Sequence, residues 1–327
     1  MTSQTKRDII ISLSALFLLV ILILVTNTFR PDSREKEAGL TVQASFYPLY
    51  FLTERLGGER LEVNLLVPAG AEPHDYELSA RDWARIADSD LVVLNGGGLE
   101  AWQKNLEKNF ASSGPEILIV GEGLMNLQSD YNNHDEEEAD YNDEELAYDG
   151  QELDPHIWLD PRLLGGMAER IATALIKLDP SGQDYYQERL AFLWADLNTL
   201  DEEYRRVLSA CSRRQIIVSH AAFAYLALAY DLEMVAITGL SPEAEPSPRA
   251  LAELADFART REISYIFFEE LASPKLAAAL ASEVGAQTLV LNPLESLSKD
   301  DLAVGEDYFT KMRENLNNLR IALDCSS

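Results

Sequence analysis

At 327 residues the chain is long for one simple domain and suits two of ordinary size. Its hydrophobic share of 47% supplies enough apolar side chains for real cores. A net charge of −28 argues against nucleic acid or anionic lipid as a partner.

Residues Ile9–Phe29 carry no charge and are rich in Leu, Ile and Val. That is about the ~20 residues needed to cross a bilayer. Lys6 and Arg7 precede the run, as expected if the N-terminus stays in the cytoplasm. The run is long for a signal peptide, and Val25–Phe29 offers no small-x-small cleavage site. Residues 1–30 are therefore expected to be an uncleaved signal anchor, a transmembrane helix, with cleavage at an unusual site the alternative; either way everything from about Pro31 is expected on the extracytoplasmic face of the membrane. No cysteine follows before Cys211, so a lipid-modified cysteine is not the expected anchor. Residues 31–39 read as a polar tether. Cys211 and Cys325 do not form a metal motif; outside the cytoplasm they could pair, which the sequence leaves open.

Strand and helix then alternate. Thr41–Ser45 is an expected strand and Tyr47–Leu56 a helix stopped by Gly57-Gly58. The strand Leu61–Val67 runs into the proline- and glycine-fixed loop Pro68–Tyr76, which carries His74. The helix Ala80–Ala87, strand Asp90–Leu94, helix Leu99–Phe110 and strand Ile117–Val120 follow. Apolar runs bounded by glycine in this order imply an α/β lobe with a mainly parallel sheet, residues 40–184.

Between Asp130 and Asp154 the composition changes to twelve Asp or Glu with one His and no Lys or Arg. This acidic segment has no apolar period and reads as a flexible loop. His134, Asp135, Glu136, Glu137 and Glu138 within it could collect cations weakly.

Asp160-Pro161 marks a helix start, and Met167–Leu178 has helical spacing. Tyr185–Leu208 has no Gly or Pro and would be about 36 Å long, a stiff linker helix over residues 185–210. A second α/β lobe, residues 211–327, follows. Its expected strands are Ile216–Ser219, Met234–Ile237, Ser264–Phe268 and Gln287–Leu291. Its expected helices are Ala221–Tyr230, one capped by Ser247 and running to about Thr260, Pro274–Val284 and Asp307–Leu323. Two such lobes joined by one helix leave a cleft suited to a small ligand.

The chain has four histidines: His74, His134, His156 and His220. His74, His156 and His220 stand in loops or at a strand end, where parallel sheets place their ligands. Glu269 ends the strand before Glu270. Three imidazoles and one carboxylate would make a tetrahedral site suited to Zn²⁺.

Several stretches extend this reading: Ala44-Ser-Phe-Tyr-Pro48, Gly70-Ala-Glu-Pro-His-Asp-Tyr-Glu77, Asp154-Pro-His-Ile-Trp-Leu-Asp-Pro161 and Val218-Ser-His-Ala-Ala-Phe-Ala-Tyr225. Gly239-Leu-Ser-Pro-Glu-Ala-Glu-Pro-Ser247, Phe268-Glu-Glu-Leu-Ala-Ser-Pro-Lys275 and Leu291-Asn-Pro-Leu-Glu295 continue them. From about residue 40 to the end the chain resembles the zinc- and manganese-type solute-binding proteins of bacterial ABC transporters, the ZnuA/TroA-like family. The resemblance implies two α/β lobes with the metal between them. It places the metal ligands at His74, His156, His220 and Glu269, with Glu270 the neighbouring alternative for the last. It also implies an ABC permease as partner, a monomer, and no enzymatic activity. Manganese-type members carry a carboxylate where His220 stands, so Zn²⁺ is expected over Mn²⁺ or iron. A surface adhesion or scaffold protein is the reading from a different class. The loop before the second ligand is usually His-rich in this family; here it is acidic.

Overall fold

The computed structural model describes residues 39–127, 153–242 and 246–326. The expected anchor, the tether up to Ala38 and the acidic segment through Glu152, with His134, Asp135, Glu136, Glu137 and Glu138, lie outside the described residues. Among the described residues no helix is long and apolar enough to cross a membrane.

The first lobe runs β1 (Leu40–Ala44), α1 (Tyr47–Gly57), β2 (Leu61–Leu65), α2 (Ala80–Ala87), β3 (Leu91–Leu94), α3 (Gln103–Asn109) and β4 (Glu116–Ile119). Its sheet has the order β2-β1-β3-β4, and every pairing is parallel. β3, Leu91-Val-Val-Leu94, is buried along its whole length. Such an unbroken apolar run belongs to a strand covered on both faces. α2 starts on a reciprocal cap between Ser79 and Asp82. α3 is shorter than the expected Leu99–Phe110 because the chain around Leu99 and Glu100 turns back on the end of β3 instead of continuing as helix.

Two long helices follow: α4 (Pro161–Leu178), capped by Asp160 with Pro161 at its first position, and α5 (Gln183–Leu208). The 26 residues of α5 span about 39 Å. Tyr186, Leu193, Leu197, Leu200, Tyr204 and Leu208 make its buried stripe. The Tyr186 hydroxyl donates to Asp179 near its start, and the Tyr204 hydroxyl to the Met312 carbonyl near its end.

The second lobe runs β5 (Gln215–Val218), α6 (Ala224–Ala229), β6 (Glu233–Ala236), α7 (Pro248–Thr260), β7 (Tyr265–Phe268), α8 (Lys275–Val284), β8 (Gln287–Val290), α9 (Lys299–Val304) and α10 (Tyr308–Ala322). The order β6-β5-β7-β8, again parallel, repeats the topology of the first sheet. The expected helix Ala221–Tyr230 divides into a 3₁₀ turn, Ala221–Phe223, and α6. In each sheet the strand order reverses between the two central strands. The switch points therefore lie beyond the carboxyl ends of β1 and β3, and of β5 and β7, where open α/β sheets take their ligands.

One hydrophobic core runs through both lobes. It contains Val42, Phe46 and Trp158 from the first and Val218, Phe223 and Tyr308 from the second. Trp158 spans the junction: its indole N–H donates to the Pro293 carbonyl at 2.7 Å, and its own carbonyl accepts from the Tyr308 hydroxyl at 2.8 Å. The junction is thus packed and hydrogen-bonded, which favours small relative motions of the lobes.

Cys211, just past α5, and Cys325, just past α10, form a disulfide across 114 residues of chain. It fixes the last helix to the end of the long one. Replacing both cysteines by serine is expected to cost about 2–4 kcal/mol of unfolding free energy. Urea denaturation of the two proteins in parallel measures this. An unchanged midpoint would mean that the bridge constrains nothing the packing does not already hold.

Candidate metal centre

Each of the three site histidines is held by a different piece of backbone. β2 runs on past its last ladder residue, with the Leu66 and Val67 N–H groups bonded to the carbonyls of Ala44 and Ser45. The chain then turns through Pro68–Tyr76, which presents His74. His220 follows β5, with the Thr238 N–H on the Ser219 carbonyl beside it.

His156 is set by a longer chain of contacts. Glu100, fully buried, accepts from the Ser45 hydroxyl at 2.6 Å, the Asn95 N–H at 2.8 Å and the Gly96 N–H at 2.9 Å. Burial pushes its carboxyl up, and these donors pull it part of the way back. Asn95, fixed in this way, donates its side-chain amide to the Pro155 carbonyl at 2.9 Å, one residue before His156. The run Asn95–Gly98 after β3 thus serves to seat the second histidine. Glu100, which opens the expected helix Leu99–Phe110, carries no signal of this role in the sequence.

The three imidazoles meet. Nε2 of His156 and Nε2 of His220 each lie 3.1 Å from Oε1 of Glu295, and they are 3.4 Å from each other. Nε2 of His74 is 3.6 Å from the same oxygen. The four donor atoms lie within 4.8 Å of one another. Ligands at ~2.0–2.1 Å from a tetrahedral Zn²⁺ stand about 3.3–3.4 Å apart. The 3.1 and 3.4 Å separations lie close to that edge, and the 3.6 Å approach of His74 is a little longer. Nε2 of His74 is buried with no hydrogen-bond partner, as a nitrogen awaiting a cation would be.

Glu269, the expected fourth member, lies elsewhere. Its Oε1 is 2.6 Å from Nδ1 of His220, on the far side of the ring. It directly follows β7, which pairs with β5, so its side chain meets the neighbouring histidine sideways. Glu295 takes the fourth corner. It lies in the loop after β8, where Leu294 adopts a left-handed backbone at φ 56°. Asn292 holds that turn by accepting the Leu294 N–H, and Asn315 holds Asn292 through both its N–H and its carbonyl. A left-handed branched residue is strained, and its surroundings must over-determine it. Glu270, the neighbouring alternative, accepts from the Asn292 side chain instead.

Asp154 does for His156 what Glu269 does for His220. Its Oδ1 is 2.7 Å from Nδ1 of His156 and also accepts the His156 N–H. A carboxylate on Nδ1 keeps the proton there and leaves the Nε2 lone pair for a metal. Burial pulls the His156 pKa down, but hydrogen bonds to Asp154 and Glu295 raise it above the ordinary value. Burial likewise opposes charge on His220, and the charges of Glu269 and Glu295 overcome it and hold it well above. For Glu295 burial works upward, while the His220 charge and the surrounding imidazoles hold it well below the usual carboxylate range. Glu72, two residues before His74, is pushed up to about 8 by burial and by the Glu295 charge. A small hollow beside the cluster is lined by Glu72, Glu269, Leu271, Asn292, Glu295 and Ser296.

The family model described as "Zinc-uptake complex component A periplasmic", ZnuA, matches residues 42–322. The high-affinity zinc uptake system protein ZnuA of Bacillus subtilis is 36% identical over 311 residues, 95% of this chain and 96% of that protein. The zinc-binding lipoprotein AdcA of Streptococcus pneumoniae is 36% identical over 301 residues, 90% of this chain but 58% of AdcA, so the chain corresponds to little more than half of that relative. The Zn(II)-bound ZnuA-like domain of the same AdcA superposes with a TM-score of 0.71 at 36% identity, covering 88% of this chain and 99% of that one. The laminin-binding protein Lmb of Streptococcus agalactiae, described as bifunctional with adhesin and metal-transporting activity, superposes with a TM-score of 0.75 at 32% identity, covering 87% of this chain and 100% of that one. With its model matched over nearly the whole described chain, and two lobes meeting at one His- and Glu-lined centre, this protein belongs to the zinc-uptake component A family.

Proposed function

We propose that the chain captures Zn²⁺ outside the cytoplasm through His74, His156, His220 and Glu295, and delivers it to an ABC permease. The observation that carries this is the convergence of three imidazole Nε2 atoms on one carboxylate oxygen at the lobe junction. Three imidazoles favour zinc over manganese, which prefers more carboxylate. Here zinc is cargo. Four protein ligands close the tetrahedron, whereas a catalytic zinc keeps a position for water. One chain supplies all four ligands, so a monomer suffices. The uncharged run Ile9–Phe29 would tether the protein to the membrane beside its permease, and the acidic segment before Asp154 would gather cations weakly near the site. The adhesin named among the structural relatives shares the fold, but the converged ligand set speaks for metal traffic.

Competition titration of the chelator-stripped full chain tests the reading. One tight zinc site per chain, little displaced by excess Mn²⁺, is expected. Glu295→Ala should lose more zinc affinity than Glu269→Gln, which should lose roughly 10-fold, near the low end for a group that orients a ligand. The reverse order would restore Glu269 as the ligand.

The pH dependence has a definite sign. The raised pKa values of His156 and His220 stabilise the zinc-free chain in acid. That stability is fully present below the unfolded value of about 6.5 and is lost as pH rises through the folded values. Zinc needs the same nitrogens unprotonated, so its binding strengthens as pH rises. The rise in melting temperature on adding zinc should therefore be larger at pH 8 than at pH 6. Scanning calorimetry of both forms reads this directly, and an equal rise at the two values would remove these histidines from the site.

A further inference from the structure

We infer that Ser296 is a positioning residue for His74: its hydroxyl clasps the His74 loop across the lobe junction and slows the departure of zinc. The inference rests on the reading of His74 as a ligand.

The three histidines are not held alike. His156 and His220 are fully buried, and each has a carboxylate on Nδ1 at 2.7 or 2.6 Å. The His74 side chain is 11% exposed. Its loop is bonded mostly to itself: the Ala71 N–H to the Pro68 carbonyl, the Tyr76 N–H to the Pro73 carbonyl, and the His74 N–H to the Glu72 carboxylate. Among the described residues, one hydrogen bond of this loop's backbone reaches the second lobe, the Gly70 N–H donating to the Ser296 hydroxyl at 2.9 Å. Gly70 makes its turn at φ 83°, with nothing near the space a Cβ would fill, so glycine serves the backbone direction here and not a tight fit.

Ser296 adjoins Glu295, and both are 3% exposed. Two loops thus face each other on two rungs. Gly70 meets Ser296 on one, and His74 meets Glu295 on the other at 3.6 Å, the longest of the three imidazole approaches to that oxygen. A metal would join the second rung. The first stands without it, so the clasp sets the position of His74 before the ion arrives. Preorganisation of this kind reaches affinity mainly through the dissociation rate. His74 is then the ligand released first, and the clasp governs how readily.

The test is a double-mutant cycle on zinc release from the full chain, followed by stopped-flow trapping with a chelator. Ser296→Ala should release zinc about 3- to 10-fold faster, the range of one neutral hydrogen bond, with the zinc-free melting temperature lowered by no more than about the few degrees that one such bond is worth. In the background of His74→Ala, the same change should have no further effect, because the clasp acts only through His74. Release from Ser296→Ala at the parent rate overturns the inference. So does an equal acceleration with and without His74, which would make Ser296 a general structural residue. Release from His74→Ala at the parent rate would instead remove His74 from the ligand set, and the inference with it.

Discussion

One carboxylate oxygen, Oε1 of Glu295, lies within 3.6 Å of three imidazole nitrogens from three separate stretches of chain. Nothing in elementary energetics favours gathering those groups in a protein interior. Isolated charges there are strongly penalised, and polar atoms must be paired. The arrangement holds because each member answers another: Asp154 and Glu269 take the outer nitrogens of two rings, and Glu295 takes the inner ones. Breaking such a cluster at one point leaves an unanswered charge, which costs more than the lost contact.

Rigid surroundings supply the precision that the cluster demands. Both sheets are parallel with matching strand orders, so their switch points face the junction with loops already prepared for ligands. Glu100 locks the loop after β3, and through Asn95 and Pro155 that lock reaches His156. Trp158, two residues on, ties the same segment to Pro293 and Tyr308 in the second lobe. Asn315, on α10, fixes Asn292 and so the turn that carries Glu295. The ligand-bearing loops are therefore short extensions of packed elements, and a site built this way keeps its geometry between captures.

Much of this was legible in the chain itself. The alternation of apolar runs and glycines marked both sheets, and the helix without Gly or Pro marked α5. Three histidines beyond strand-like runs marked three of the four residues that the structure gathers. Glu269 stands outside that group for a physical reason. A residue at a strand end meets its lateral neighbour, so Glu269 reaches His220 from the side. Glu295 comes to the centre only because Leu294 takes a left-handed conformation, and a branched residue gives no warning of that. Glu100 was hidden because a carboxylate opening a helix-like run reads as an exposed N-terminal charge. Only the fold shows it turned inward onto backbone N–H groups.

The charges of the centre also bear on how an ion can enter a buried place at all. Without metal, His156 and His220 are the groups whose protonation is favoured, opposite the carboxylates of Asp154, Glu269 and Glu295. Glu72, with its carboxyl at about 8, stays largely protonated at neutral pH. A dication that takes the place of those favoured protons answers the same carboxylates. The hydrogen-bonded frame then needs no rebuilding, since Asp154 and Glu269 keep their places on Nδ1. The carboxylates on Nδ1 thus set the charge of this buried place, while on the proposed ligand set the choice among dications falls to the imidazoles.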